Sequence, residues 1–174
     1  FQDLDLIKWQ QDLEDDKAKL ELLLQEAKEI DASRDSKLND LKNIISDKIT
    51  NPLNDNNKKL IIFTAFADTA KYLYEHISSW SLAQFKLHSA MVVGSDANQT
   101  TLKHLKRKDI NSILTNFSPR SKERDKIYPE ITEDIDILIA TDCISEGQNL
   151  QDCDYLINYD IHWNPVRIIQ RFGR

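Results

Sequence analysis

The chain has 174 residues, 40% of them hydrophobic and 30% charged, with a formal net charge of −6 at pH 7, a composition expected of one ordinary soluble domain able to bury a core. The negative balance argues against a chain that attracts nucleic acid over its whole surface, so contact with DNA or RNA has to come from a local patch. No apolar run is long enough to cross a bilayer and no signal-peptide pattern follows Phe1; the expectation is a cytoplasmic fragment of a longer protein, without membrane contact.

Residues 1–57 are rich in Asp, Glu, Lys, Leu and Gln and contain no strand-like run. Leu6, Trp9, Leu13, Leu20, Leu23, Ala27 and Ile30 fall at heptad-like spacing, and Asp16 takes one of the apolar slots. After the polar break at Ser33 to Ser36, the spacing of Leu38, Leu41, Ile45 and Ile49 predicts a second helix with one apolar stripe. Amphipathic helices need a surface to lie on; a hairpin packed on the chain's own sheet and a coiled-coil assembly surface both satisfy that need. The breaker cluster from Asn51-Pro52 to Asn57 predicts a boundary near residue 58, separating a helical appendage (1–57) from an α/β domain (58–174).

From Lys58 the pattern alternates. Leu60 to Thr64 reads as a strand covered on both faces. Phe66, Ala70, Leu73, Ile77 and Trp80 then recur at helical spacing. Phe85 to Val93 predicts a second strand, Ala97 to Lys106 a helix, and Asp109 an N-cap for a helix carrying Ile110, Ile113, Leu114 and Phe117. Ser118 to Asp134 is charged, contains two prolines and reads as a loop; Ile135 to Ala140 and Tyr155 to Tyr159 are the third and fourth strands. This order predicts a doubly wound parallel sheet flanked by helices.

In open α/β sheets the working residues sit beyond the carboxyl ends of strands. Three segments meet that condition: Thr64, Thr141-Asp142, and Asp160 with His162-Trp163-Asn164. Asn164-Pro165 is a good helix start. In the helix that follows, Ile168, Ile169 and Phe172 are expected on a buried face and Arg167, Gln170 and Arg171 on a cationic one, with Gly173 ending it. Ser145-Glu146-Gly147-Gln148-Asn149 holds more side-chain donors and acceptors than a simple turn needs. None of the three glycines, Gly94, Gly147 and Gly173, precedes Lys-Ser or Lys-Thr, so the chain cannot build a phosphate-cradling P-loop and is not expected to hydrolyse ATP alone. Cys143 and Cys153 lie in no metal-ligand grouping and read as small buried thiols; no metal ligand set is predicted.

With the fifth-motif-like run Ala140 to Leu150, Tyr159-Asp160-Ile161-His162-Trp163-Asn164-Pro165 and Gln170-Arg171-Phe172-Gly173-Arg174 in view, the chain resembles the C-terminal RecA-like lobe of superfamily-two helicases, in their Swi/Snf-type branch with its bacterial members. The resemblance covers roughly residues 58–174, beginning at Leu60 to Phe66, and leaves the first 50 residues outside. It implies that Thr64, Thr141 and Asp142 lie on the side that grips a nucleic-acid backbone. It places Glu146, Gly147 and Asn149 where nucleic acid is coupled to nucleotide, with Asn149 near the ribose. Gln170, Arg171 and Arg174 match the sixth motif, and Arg174 is the implied arginine finger. The implied ligands are ATP with Mg²⁺, the metal being held mainly by the absent first lobe. The implied partners are that lobe of the same parent chain and nucleic acid, with duplex DNA favoured. Residues 1–57 would then serve as a connector between lobes. An RNA helicase lobe and a motor-derived interaction module without catalysis are the alternatives. The basic loop of Arg120, Lys122, Arg124 and Lys126 is a weaker candidate for phosphate contact, and His88, where relatives often carry histidine, is either structural or functional.

Overall fold

The computed structural model describes residues 5–29, 33–94, 97–144, 148–161 and 165–172. It separates into two compact units, residues 1–41 and 42–174.

The first unit holds helix α1 (Leu6–Lys28) and the start of α2 (Ser36–Thr50), as far as Leu41. Asp5 caps α1 by accepting a hydrogen bond from the Lys8 amide at 3.1 Å. No residue of α1 is buried, and its Leu6, Leu13 and Leu20 are 66%, 51% and 66% exposed. Local effects therefore hold this helix: the cap and exposed pairs such as Lys17–Glu21 at 3.8 Å, each contributing a few tenths of a kcal/mol up to about 1 kcal/mol. α2 is capped by Asp35, whose carboxylate accepts from the Leu38 amide at 2.9 Å. The four residues of its apolar stripe, Leu38, Leu41, Ile45 and Ile49, are all buried.

The second unit is built on a sheet whose strands, among the described residues, are β1 (Leu60–Phe63), β2 (His88–Val92), β3 (Gln99–Thr100), β4 (Ile135–Ala140) and β5 (Leu156–Asn158), in the order β3-β2-β4-β1-β5. β1 runs parallel to both β4 and β5, with Ile61 opposite Leu138 and Leu156, and β2 runs parallel to β4. β2 and β3 are sequential neighbours and antiparallel, whereas the four parallel strands are joined by crossovers and end at one common edge. β1 reads as an unbroken apolar run, and β4 as one interrupted only by the half-buried Asp136, because covered central strands bury both faces. Helix α3 (Ala67–Phe85) lies against β2 and β4, as does α4 (Ile110–Phe117), and the short α5 (Arg124–Ile127) and α6 (Pro165–Phe172) complete the unit. The main core gathers Phe63, Val92, Leu102, Ile113, Phe117 and Leu138, each contributing about 1.5–3 kcal/mol of burial.

The sheet unit begins at Lys42, inside α2, earlier than the polar cluster at 51–57. That cluster is a tied connection. Lys48 Nζ meets Asp154 at 2.6 Å and donates to the Asn57 carbonyl at 3.0 Å. Asn54 donates to the other Asp154 oxygen at 2.8 Å, and Asn57 to the Asp152 carbonyl at 3.0 Å. The second half of α2 is thereby fastened to the segment entering β5.

Two predicted elements differ. No helix forms over Ala97 to Lys106 among its described residues; Gln99–Thr100 instead adds an antiparallel edge strand to β2. The reason is local competition by side chains. Asn98 Oδ1 accepts from the Val93 amide at 3.1 Å, Thr100 Oγ1 donates to the Ser89 carbonyl at 3.1 Å, and Thr101 Oγ1 accepts from the Ser89 amide at 2.9 Å. Leu102 and Leu105 still reach the core from this irregular backbone. The loop after Ser118 contains the single turn α5, set by Arg124, which is buried and ion-paired with Asp134. The Asp109 cap forms as expected: its carboxylate accepts from the Ser112 amide at 2.9 Å, which, with the Ser112 hydroxyl, holds its pKa below the usual carboxylate range.

Candidate nucleotide and nucleic-acid site

The carboxyl edge of the sheet brings three sequence-distant segments together. Thr64 leaves β1, Thr141 and Asp142 leave β4, and Asp160 lies just beyond β5. Backbone ladders continue past the strand ends: the Thr64 amide donates to Ala140, the Thr141 amide to Val92, and the Tyr159 amide to Phe63, at 2.8–3.1 Å. The segments thus leave the sheet in fixed register. Gly94, after β2, has φ +74°, and a Cβ there would stand 2.7 Å from Cys143 Cβ, so this edge admits only glycine at that turn.

Arg171 is the centre of the site. It projects from α6, is 1% exposed, and its guanidinium lies 5.0 Å from the centroid of the Phe63 ring. Nε donates to Asp142 Oδ1 at 2.8 Å; Nη1 donates to Asn158 Oδ1 at 2.7 Å and, more weakly, to the Asp160 carbonyl at 3.5 Å. Nη2 is buried with no hydrogen-bond partner among the described residues. A buried guanidinium is tolerable only with such acceptors, and removing one partner of a buried pair costs about 3–5 kcal/mol.

This placement corrects the expected faces of the helix. Arg171, expected on the cationic face, points into the sheet edge, and Ile169, expected on the buried face, is 69% exposed, whereas Gln170 is exposed as expected and Ile168 is half-buried. The stripe expected from 3.6-residue periodicity is outweighed by the acceptors waiting at the ends of β4 and β5. Arg171 therefore reaches no solvent, and its contacts make it a structural tie between α6 and the strand ends.

Thr64 is fully buried too. Its hydroxyl donates to Asp160 Oδ2 at 2.5 Å, and the same oxygen accepts from the Ala65 amide at 3.3 Å. A ligand meets Thr64 only through what Thr64 holds in place. Thr141 is 9% exposed. Asp142 is half-buried against Arg171. Asn149 is exposed, its side-chain oxygen accepting from the Gln151 amide at 3.3 Å, an Asx turn that stiffens the loop. Glu146, Gly147, Gly173, Arg174 and the His162-Trp163-Asn164 run lie outside the described residues.

Several side chains of the weaker candidates have partners within the chain. Arg124 is committed to Asp134, Lys122 donates to Gln148 Oε1 at 2.7 Å, and Lys126 meets Glu123 at 2.8 Å. The loop is further anchored by Asp152, which accepts from the Arg120 and Ser121 amides at 2.7 and 3.0 Å and from the Ser121 hydroxyl. His88 Nδ1 lies 3.1 Å from the Thr101 hydroxyl and Nε2 3.7 Å from a Glu133 carboxylate oxygen. Both cysteines are free thiols, and burial pushes that of Cys153 up to about 11. Among the described residues, no group of three or more His, Cys, Asp or Glu is placed to hold a metal ion, and no helix is long and apolar enough to cross a membrane. Asn158 and the face of Phe63 escaped sequence reasoning. The only available signal was a polar residue closing an otherwise apolar strand.

Residues 88–174, half of the chain, match the family model described as the helicase conserved C-terminal domain. The chain is 58% identical over 40 residues to an uncharacterized ATP-dependent helicase, YqhH, of Bacillus subtilis, covering 23% of this chain and 7% of that protein. It is 28% identical over 119 residues to a putative ATP-dependent DNA helicase, fml2, of Schizosaccharomyces pombe, covering 68% of this chain and 13% of that protein. Among solved structures, the Hef helicase domain of Pyrococcus furiosus aligns with 79% of this chain and 22% of its own at 24% identity and a TM-score of 0.49. The chain thus spans a small part of the relatives it matches.

Proposed function

This chain belongs to the helicase conserved C-terminal domain family, and from that premise we propose that it is the second, RecA-like motor lobe of an ATP-dependent translocase acting on duplex DNA. The observation that carries the reading is the gathering of Thr64, Thr141, Asp142 and Arg171 at one sheet edge, where a motor must join a nucleic-acid grip to a nucleotide sensor. The name of the fission-yeast relative, a putative ATP-dependent DNA helicase, supports DNA over RNA. The Trp163-Asn164-Pro165 run supports the Swi/Snf-type branch, with its bacterial members.

In this reading the parent protein closes two lobes on ATP. Thr141 offers its hydroxyl to a backbone phosphate, a contact that carries no sequence preference. Thr64 and Asp142 act from beneath as supports. Glu146, Gly147 and Asn149 relay the state of the nucleic acid to the nucleotide. Gln170 and Arg171 belong to the sixth motif, and Arg174 is the finger that neutralises charge developing on the γ-phosphate. In this reading the Mg²⁺ and the P-loop belong to the first lobe, and this chain alone does not hydrolyse ATP.

The test is ATP hydrolysis by the full-length parent protein with no polymer, duplex DNA, single-stranded DNA or RNA, beside Arg174→Ala. The reading expects stimulation by duplex DNA and a fall in kcat of at least about a hundredfold in the variant, with KM for ATP little changed. Hydrolysis absent with every polymer would instead identify a motor-derived binding module. Stimulation by RNA alone would move the assignment to an RNA helicase.

A further inference from the structure

With a negative overall balance, contact with a polyanion has to come from a local patch, and one run after β3 has the charge for it. Residues 103–108 read Lys103-His104-Leu105-Lys106-Arg107-Lys108, four cations in six residues of a chain whose net charge is −6. Lys103, Lys106, Arg107 and Lys108 are all exposed, and none forms a hydrogen bond or ion pair with a described residue. The loop of Arg120 to Lys126 differs, because Lys122, Arg124 and Lys126 already have partners at Gln148, Asp134 and Glu123. Asp109, the next acid in sequence, is occupied by the amide and hydroxyl of Ser112, at 2.9 and 2.7 Å. The backbone beneath the run is held at both ends. Thr100 Oγ1 accepts from the Leu102 amide at 3.1 Å and Thr101 Oγ1 from the Ser89 amide at 2.9 Å, while the Asp109 cap of α4 fixes the other end. Leu102 and Leu105 are 1% and 3% exposed, sunk in the core that also holds Val92 and Ala140, the last residues of β2 and β4. The cations therefore stand on an anchored strip, and binding would order side chains without having to order the backbone.

We propose that Lys103, Lys106, Arg107 and Lys108 form a contact strip for the phosphate backbone of duplex DNA, binding without regard to base sequence. Two features narrow the polyanion. No Phe, Tyr or Trp occurs between Ala97 and Asp109, so the run offers no stacking platform for unpaired bases. Leu105, its one apolar residue, and Leu102 before it are buried, which leaves no apolar side chain to enter a lipid surface. Six residues reach at most about 20 Å, enough to follow about five nucleotides of one strand at roughly 3.4 Å each. The choice of DNA rests on the translocase reading above, whereas the strip itself needs no ATP hydrolysis. Each neutralised phosphate releases counterions, so four cations supply about 3 of the slope of log K against log salt.

The experiment measures binding of the full-length parent protein to a mixed-sequence DNA duplex, by fluorescence anisotropy over a series of salt concentrations and without nucleotide. The variant carries Lys103→Gln, Lys106→Gln, Arg107→Gln and Lys108→Gln. A charge-matched control carries Lys8→Gln, Lys17→Gln, Lys19→Gln and Lys28→Gln in α1, where the lysines are equally exposed. The variant is expected to flatten the salt slope by about 3 and to weaken binding about tenfold or more at low salt, the gap closing as salt rises. The control should keep the slope of the parent. A variant slope equal to that of the parent, or a control that flattens it as much, overturns the strip. Binding of poly-glutamate but not of duplex DNA by the parent, lost in the variant, also overturns it and gives the run an acidic protein partner. ATP hydrolysis measured beside binding separates this proposal from the motor reading. Hydrolysis stimulated by duplex DNA, with an unchanged variant slope, removes the strip and leaves the motor. Hydrolysis absent with every polymer, with a flattened variant slope, removes the motor and leaves the strip. If the fourfold variant fails to fold, judged by its thermal midpoint, Lys106→Gln with Lys108→Gln carries the test, with an expected flattening of about 2.

Discussion

Helices α1 and α2 both place leucine and isoleucine at helical spacing, yet no residue of α1 is buried, while Leu38, Leu41, Ile45 and Ile49 of α2 are at most 8% exposed. Both start with an aspartate cap, at Asp5 and Asp35. The difference is what fastens the far end. The last turn of α2 carries Lys48, whose side chain is 1% exposed and tied to Asp154, Asn57 and the Tyr155 ring, 5.7 Å from its centroid. α1 ends in Lys28 with nothing buried anywhere along it. Periodicity thus makes a helix of either segment, and the fate of the apolar stripe depends on partners far away in the chain.

The comparison can be broken first at the stripes themselves. Ile45→Ala is expected to lower the stability of the sheet unit by about 3 kcal/mol, as a fully buried aliphatic side chain leaves a cavity. Leu20→Ala in α1 should stay within about 0.5 kcal/mol. Denaturant midpoints of the two variants check this, and equal shifts would mean that α1 is as integral to the fold as α2. Next comes the fastening: Lys48→Ala should cost about 2 kcal/mol, reduced from the fully buried case because Asp154 keeps 14% exposure. Asp154→Asn, which keeps an acceptor for Lys48, should cost less; the reverse order in urea melts would remove the ion pair from the account. The smallest effects are at the caps. Asp35→Ala should lower the global midpoint by about 1 kcal/mol, whereas Asp5→Ala should reduce far-ultraviolet helicity and leave the midpoint in place. A shared midpoint shift would show α1 to be coupled to the sheet unit.

Much of the sheet unit could be read from residues alone. Ile135 to Ala140 is a strand with the expected bounds, and Asp109 caps α4 as its chemistry demands. The segment from Ala97 to Lys106 misled because its apolar residues, Leu102 and Leu105, reach the core without helical backbone, held by Thr100 and Thr101 on Ser89. At the candidate site, Thr64, Thr141, Asp142 and Arg171 were all singled out by position and type. Their environments were not: Thr64 and Arg171 turned out to be interior, and Asn158 and Phe63, which complete the Arg171 contacts, drew no notice.

The sequence by itself determined the local matters: which runs make strands and helices, where caps form, and that polar residues follow the ends of apolar strands. These depend on side-chain periodicity and on hydrogen bonds spanning a few residues, so nearby positions suffice. The direction Arg171 faces, the burial of Thr64, and the fastening of α2 by Lys48 on Asp154, 106 residues away, were decided by tertiary structure. A charge or a hydroxyl goes where acceptors already stand in a low-dielectric setting, and those acceptors are assembled only when the strands pair.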